Sequence, residues 1–239
     1  MPAAPVLPKL VGQRVKRRED PRLIQGRGTY VVDVKIAGMQ HIAFKRSDVA
    51  HGKIKKIDVS AAKAMEGVEA VFTGAEIAKF LAPMPIGTPF PSPDHRAVAT
   101  DVVRFSGEPV AVVVASDRYV ARDAADAIVV SYDALPAVVD PELAMTGKPT
   151  VIHEAFPNNL AVPLVPSGTG VSLDGKTVDD TAVDRAFAQA EVIIKQRMMN
   201  QRLVPNAMEP RGVVAHFEPG KGTMTIWSST QNPHILRTM

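Results

Sequence analysis

Short apolar runs alternate with polar segments between residues 30 and 140, and this alternation predicts small strands and helices in mixed order. The run at 110–115 contains only valine and alanine, which indicates a strand that is buried on both faces. Strands and helices mixed in this way are typical of an α+β or α/β domain. The predicted strands cover residues 41–46, 53–59, 69–72, 102–105, 110–115 and 129–133.

Capping residues mark the helices between these strands. Each of three short helical patterns follows a side chain whose oxygen can accept hydrogen bonds from the first free amides of a helix. The third helix ends at Ala127 and carries an apolar stripe at helical spacing. The predicted caps are Asp58 or Ser60, Thr73, and Ser116 or Asp117, and the stripe consists of Ala121, Ala124, Ala125 and Ile128.

Beyond residue 140 the regular pattern becomes sparse. Residues 141–180 are rich in proline and glycine and are predicted to be a connector. A helix at 183–190 is then expected, followed by strands at 192–198, 212–217 and 223–228. The chain is therefore divided into residues 1–26, 27–140, 141–180 and 181–239, and its fold class is predicted to be α+β.

Composition narrows the classes of protein that are possible. Apolar residues make up 46% and charged residues 22% of the 239, which excludes global disorder. The chain has no cysteine, so it holds no disulfide, no iron–sulfur cluster and no thiol nucleophile. Neither a membrane-spanning apolar run nor an export signal is visible in the sequence, and a cytoplasmic protein is expected.

The basic charge is concentrated at the beginning of the chain. The first 30 residues carry seven lysines and arginines against two acidic residues, Glu19 and Asp20. Such an arm could neutralise nucleic-acid phosphates. No aromatic side chains are interleaved with the charges to stack on bases, and a solvated or subunit-docking arm is favoured instead.

One motif matches a nucleotide-binding pattern. Residues Gly170 to Thr177 fit the phosphate-binding loop G-x-x-x-x-G-K-[ST]. A poor strand precedes the motif, and Asp174-Gly175 is typical of a hairpin turn, so the turn is favoured over nucleotide binding. The six histidines are widely separated, and no metal site is predicted.

Three longer segments together resemble a known family. They are GQRVKRREDPRLIQGRGTYVVD at 12–33, VVRFSGEPVAVVVASDRYVARDAADAIVVSYDALPAVVD at 102–140, and QRLVPNAMEPRGVVAHFEPGKGTMTIWSSTQNPHILR at 201–237. On these residues the chain resembles the N-terminal part of the molybdenum-binding large subunit of the xanthine dehydrogenase/aldehyde oxidase family. The resemblance is greatest to the branch that contains carbon monoxide dehydrogenase.

The resemblance implies a fold and an oxidoreductase activity. Residues 27–140 would form an α/β-hammerhead domain, and residues 181–239 would begin the first molybdopterin-binding domain. The complete subunit would use a molybdenum–molybdopterin cytosine dinucleotide to oxidise an aldehyde, an N-heterocycle or carbon monoxide, with water as the oxygen source. Electrons would pass to [2Fe–2S] clusters on a small subunit and FAD on a medium subunit, in a dimer of heterotrimers.

One active-site residue follows from the same resemblance. Gln231 occupies the glutamine of the family's Ser-Thr-Gln motif, whose amide contacts the oxo ligand of molybdenum, so it is predicted to be both catalytic and cofactor-binding. The alternative is that Gln231 and Asn232 cap a helix beginning near Pro233. Glu209 and Arg211 are predicted to form an internal ion pair.

Family large subunits are several hundred residues longer, so the chain is expected to be one piece of such a subunit. It is expected to hold no molybdenum cofactor tightly by itself, and to expose apolar surface after residue 150. Two alternative functions remain open: a non-catalytic module that docks partner subunits, and a nucleotide binder acting through residues 170–177.

Overall fold

A computed structural model describes residues 10–85, 91–146, 150–161 and 181–238. The strands are β1 (His41–Arg46), β2 (Gly52–Asp58), β3 (Val68–Thr73), β4 (Val102–Val103), β5 (Pro109–Ala115), β6 (Val129–Ala134), β7 (Val213–Glu218) and β8 (Thr223–Ser228). The helices are α1 (Asp20–Leu23), α2 (Ser60–Lys63), α3 (Gly74–Ile77), α4 (Arg118–Ala127), α5 (Pro141–Met145), α6 (Thr181–Gln189) and α7 (Pro233–Thr238), with a 3₁₀ turn at Val31–Asp33. The mixed helices and strands confirm the predicted α+β class.

The chain forms two compact units. One consists of residues 38–199, and the other joins residues 1–37 to residues 200–239. None of the described helices is both long enough and apolar enough to cross a membrane.

The larger unit is built on a three-stranded antiparallel sheet in the order β1-β5-β3. Strand β5 lies in the centre, and Val110, Ala111, Val113 and Ala115 are fully buried, which confirms the prediction of a strand buried on both faces. Helix α4 packs on one face of this sheet with its apolar stripe buried, as predicted. The stripe packs against Val71, Ala111, Val113 and Ala115 of the sheet and Ala62 of α2, and together these residues form the first hydrophobic core.

Helix α4 begins where the sequence predicts. Of the two candidate caps, Asp117 is the one used: its Oδ1 accepts hydrogen bonds from the amides of Tyr119, at 2.7 Å, and Val120, at 3.0 Å. These bonds stabilise the charged carboxylate and lower the pKa of Asp117. The cap therefore satisfies two amides that have no partner inside the helix.

A second antiparallel sheet in the same unit has the order β4-β2-β6. Its core consists of Ala99, Val103 and Val110, so β5 contributes to both cores.

Thr73 precedes α3 as predicted, and its amide and hydroxyl both donate to the Glu76 carboxylate, at 2.6 and 2.8 Å. This bond to the third helical residue fixes the entry into α3.

Part of the predicted connector is ordered by one asparagine. Asn159 has a left-handed backbone, with φ 55°. Its amide nitrogen donates to the carbonyls of Ala144 and Thr150, at 2.9 and 3.0 Å, and its Oδ1 accepts from the amide of Ile152 at 2.9 Å. Arg104 also donates to the Ile152 carbonyl, at 3.1 Å, and ties this segment to the strands of the larger unit.

The prediction of a strand at 192–198 is wrong. The residues have strand-like composition, but they form no ladder with any part of the chain that the structure describes. Arg197 instead forms an ion pair with Glu142, at 3.0 Å. A strand requires a hydrogen-bonding neighbour, which composition alone does not supply.

The smaller unit contains the antiparallel hairpin of β7 and β8. Both strands lie within one residue of their predicted positions, and Gly222 adopts a left-handed conformation, with φ 62°, in the turn between them. Helix α7 begins at Pro233, where a helix start was expected. Helix α1 and the 3₁₀ turn were not predicted.

Candidate functional site

The turn between β8 and α7 carries the predicted site residue Gln231. Gln231 is exposed, and its carboxamide makes no hydrogen bond to any described residue. The hydroxyl of Thr230 accepts a hydrogen bond from the Asn232 amide at 3.1 Å, and the Asn232 carbonyl accepts from the Leu236 amide, also at 3.1 Å. The backbone on either side of Gln231 is therefore held while its side chain remains available.

Ser229 joins this turn to the beginning of β7. Its hydroxyl accepts a hydrogen bond from the Gly212 amide at 2.8 Å and lies 3.1 Å from the Pro210 carbonyl, to which it donates. Its own amide donates to the Gly212 carbonyl at 3.1 Å. The hydroxyl also lies 3.4 Å from the Gly212 carbonyl, so both the side chain and the backbone of Ser229 link the two ends of the hairpin two residues before Gln231.

The predicted ion pair between Glu209 and Arg211 is wrong. Glu209 Oε1 instead accepts a hydrogen bond from the Val31 amide, at 3.2 Å. Val31 also lies over Gly212, where a Cβ would come within 3.1 Å of Val31 Cγ1. The 3₁₀ turn is thereby attached to the segment that Ser229 stabilises. The sequence contains no local signal for this contact, because its partners are 178 residues apart.

The hairpin exposes an apolar face. In an antiparallel pair, residues opposite each other project on the same side, and alternate pairs share that side. The register places Val213, Ala215 and Phe217 of β7 on the same face as Ile226 and Met224 of β8. The four larger side chains of this face are between 52% and 66% exposed. The expectation of exposed apolar surface after residue 150 is therefore confirmed.

Gln231 presents an uncharged carboxamide at the surface of this turn. It can donate a hydrogen bond or accept one without adding charge. Among the described residues, no three histidine, aspartate or glutamate side chains are grouped so that they could hold a metal ion. The described part of the chain therefore offers an uncharged hydrogen-bonding group at Gln231 and no metal-ligand set of its own.

Two shallow recesses in the larger unit are alternative candidate sites. One recess, of about 300 Å³, is lined by Lys56, Asp58 and Ser60. Hydrogen bonds from Ser60 and Lys56 to the Asp58 carboxylate hold the pKa of Asp58 well below its usual range. The other, of about 230 Å³, contains His153, whose pKa is lowered by burial and by the nearby Arg104 cation. Neither recess brings together the groups that a catalytic site needs.

The nucleotide-binding motif cannot be compared with the structure. Residues 170–177 lie outside the described part of the chain. Both interpretations of the motif, the phosphate-binding loop and the hairpin turn, stay predictions.

Two family models match the chain, one after the other. Residues 25–136 match the a/b hammerhead domain of aldehyde oxidase and xanthine dehydrogenase. Residues 164–239 match a molybdopterin cofactor-binding domain, which includes the hairpin and Gln231. The two domain types occur in the order that the sequence predicts.

Curated relatives extend the likeness over nearly the whole chain. The carbon monoxide dehydrogenase large chain of Hydrogenophaga pseudoflava is 39% identical over 96% of this chain and 29% of its own length. The nicotine 6-hydroxylase large subunit of Paenarthrobacter nicotinovorans is 35% identical over 98% of this chain and 27% of its own length. The chain thus spans less than a third of the length of these relatives.

Solved structures agree with this likeness. The reconstituted CO dehydrogenase from Oligotropha carboxidovorans superposes with a TM-score of 0.78 and 36% identity, over 95% of this chain and 28% of that one. Quinoline 2-oxidoreductase from Pseudomonas putida 86 gives a TM-score of 0.74 and 35% identity, over 94% and 27%. The fold is therefore shared with proteins that differ in the substrates their names state.

Proposed function

Because the chain belongs to the aldehyde oxidase and xanthine dehydrogenase family, we propose that it forms the N-terminal portion of a molybdenum hydroxylase large subunit. The observation that carries this proposal is the ordered match to a hammerhead and a molybdopterin-binding domain, together with 39% identity to a carbon monoxide dehydrogenase large chain. The complete subunit would oxidise an aldehyde, an N-heterocycle or carbon monoxide, with water as the oxygen source.

When bound, a molybdenum–molybdopterin cytosine dinucleotide would supply the redox chemistry. Gln231 would hold this cofactor through a hydrogen bond from its carboxamide N–H. An uncharged donor suits this role because it stabilises oxygen ligands without adding a charge that would shift the metal's potential. The exposed position of Gln231 and its unused hydrogen-bonding capacity support the assignment.

Other subunits would complete the electron path. The zero cysteine count fits an assembly in which the [2Fe–2S] clusters lie on a small subunit and FAD lies on a medium subunit. We propose a dimer of such heterotrimers. The exposed apolar face of the β7–β8 hairpin would be covered by the remainder of the large subunit, because a two-stranded hairpin is marginally stable without a covered face.

The role of Gln231 is tested in the complete large subunit, assembled with its partners. We expect Gln231→Ala to lower kcat per bound molybdenum by about 10- to 100-fold, the usual cost of losing a group that orients a metal centre. Gln201→Ala, at another exposed glutamine of the same unit, is the matched control and should leave turnover unchanged. Wild-type turnover in Gln231→Ala would remove the residue from the site.

A subunit-docking function of the N-terminal arm is the second candidate. The described basic side chains of the arm are exposed and form no ion pair within the described chain; they are Arg14, Lys16, Arg17, Arg18 and Arg22. Exposed apolar residues such as Val11 and Ile24 accompany them, a mixture that resembles protein interfaces more than nucleic-acid tails. If docking is its function, deleting residues 1–26 should abolish co-purification of the iron–sulfur or flavin subunit. Unchanged co-purification would eliminate this candidate.

A further inference from the structure

Ser229 lies at the start of the turn that carries Gln231 and is bonded to the other end of the hairpin. It is the last residue tied to the hairpin before the turn, through one backbone and two side-chain hydrogen bonds to residues 210–212. The neighbouring Ser228 hydroxyl makes no hydrogen bond to any described residue. The two serines therefore differ in their bonding although they are adjacent in the sequence.

The Ser229 hydroxyl is both a hydrogen-bond acceptor and a hydrogen-bond donor. As an acceptor it satisfies the Gly212 amide, and as a donor it satisfies the Pro210 carbonyl. Removing the hydroxyl leaves both backbone groups without this partner, and only the backbone bond between Ser229 and Gly212 would remain. The beginning of the turn would then be held only by this backbone bond and by the pairing of Ser228 with Val213 at the end of the ladder.

On the C-terminal side of Gln231, the turn has no hydrogen bond of this kind to the hairpin within the described chain. The Asn232 amide is bonded to the Thr230 hydroxyl, which belongs to the same short turn and supplies no anchor to the hairpin. Ser229 is thus the residue of this turn that is bonded to residues 210–212, the segment that leads into β7. A free glutamine side chain binds well only if its backbone is already in place, because ordering both on binding costs conformational entropy.

We propose that Ser229 is a positioning residue for Gln231: its hydroxyl holds the turn so that the carboxamide is presented to the cofactor in one orientation. This inference rests on the proposed function of Gln231. It differs from a purely structural role, in which Ser229 would close the hairpin with no effect specific to the residue at position 231.

A double-mutant cycle in the complete large subunit with its partners tests the proposal. Ser229→Ala should lower kcat per bound molybdenum by about tenfold, with KM little changed, because the orientation of a group near the metal is disturbed. In the Gln231→Ala background the same change should have no further effect. Ser228→Ala is the matched control, and Ser229→Thr, which keeps the hydroxyl, should restore turnover.

Two readouts do not depend on turnover. Hydrogen exchange of the Gly212 amide should accelerate in Ser229→Ala and stay unchanged in Ser228→Ala, because this amide loses its acceptor when the Ser229 hydroxyl is removed. The Mo(V) electron paramagnetic resonance spectrum should change in both Ser229→Ala and Gln231→Ala and remain wild-type in Ser228→Ala.

The outcomes separate this inference from the function on which it rests. If Ser229→Ala slows turnover equally in the wild-type and Gln231→Ala backgrounds, the residue is structural and the positioning role is overturned. The same conclusion follows if Ser229→Ala leaves turnover and the spectrum unchanged while Gln231→Ala alters both. If Gln231→Ala itself alters neither, the proposed role of Gln231 fails, and the positioning role fails with it.

Discussion

Gly74 shows how one residue can limit the packing of the larger unit. It is buried at the first position of α3, where the backbone of Ala99 and Thr100 approaches so closely that a Cβ would collide with the Ala99 carbonyl oxygen. Because this obstacle is backbone, no side-chain rotation can relieve it. The close approach joins α3 to the loop that leads into β4, and only a residue without a side chain fits there.

We expect Gly74→Ala to reduce the free energy of unfolding by about 1–3 kcal/mol, or more if the loop cannot move, since overpacking forces backbone shifts. Urea denaturation monitored by circular dichroism would measure the change. Gly220→Ala is the control, because nothing lies within 4 Å of the corresponding Cβ. Equal stability of the two variants would contradict the packing argument.

The residues in and around the turn of Gln231 differ in whether their roles can be predicted from the sequence. Gln231 was identified through the family resemblance, since an isolated glutamine carries no chemical signature of its own. The bonding of Ser229 and the contact of Glu209 with Val31 became visible only in the structure. A serine beside another serine offers no pattern that tells which hydroxyl is used.

At the scale of elements, α4 and the sheet beneath it form the most complete part of the fold. Ile128 ends the buried stripe of this helix and is 1% exposed, while the next residue, Val129, is 63% exposed. The chain therefore passes from the core to the surface within one residue. Helical spacing in the sequence predicted this stripe because a short amphipathic helix has only one face to bury.

We expect Ile128→Ala to cost about 2–5 kcal/mol of stability, since it removes buried methyl groups and leaves a cavity. Val129→Ala should change stability by less than about 0.5 kcal/mol, as is usual for exposed positions. Thermal melting of both variants would test the difference. A large loss in Val129→Ala would mean that another part of the protein covers this strand.

The segment at 192–198 illustrates the limit of prediction for elements. Its valine, isoleucines and methionine favour a strand, yet the described chain provides no neighbour with which it pairs. Strands β1, β3 and β5 were predicted correctly because their mutual pairing buries apolar faces. A local pattern records what a segment can form, whereas the pairing depends on what lies beside it.

At the scale of the whole molecule, apolar exposure is concentrated in the later part of the chain. Beyond residue 190 several large side chains are more than 80% exposed, namely Ile194, Met198, Val204 and Met208. Large apolar side chains that are exposed in such number are typical of surfaces that other protein segments cover. This distribution agrees with the proposal that further parts of a large subunit pack against this portion.

We expect the 239-residue chain, produced alone, to bind the hydrophobic dye ANS and to retain no stoichiometric molybdenum. Dye fluorescence should fall when Phe217 and Ile226 on the apolar hairpin face are both changed to serine, while Thr223→Ser on the other face serves as control. Metal analysis of the purified chain would complete the test. Stoichiometric molybdenum with aldehyde or carbon monoxide oxidation would contradict the expectation.

The sequence by itself determined the α+β class, the strands around β5, the position of Thr73 before α3, the start of α4 and, through resemblance, the family. These features depend on local spacing and on short motifs, which act over a few residues. The tertiary structure decided which strands pair, how Val31 reaches Glu209, and how Ser229 attaches the turn of Gln231 to β7. Those contacts join residues far apart in the sequence, so they exist only once the chain has folded.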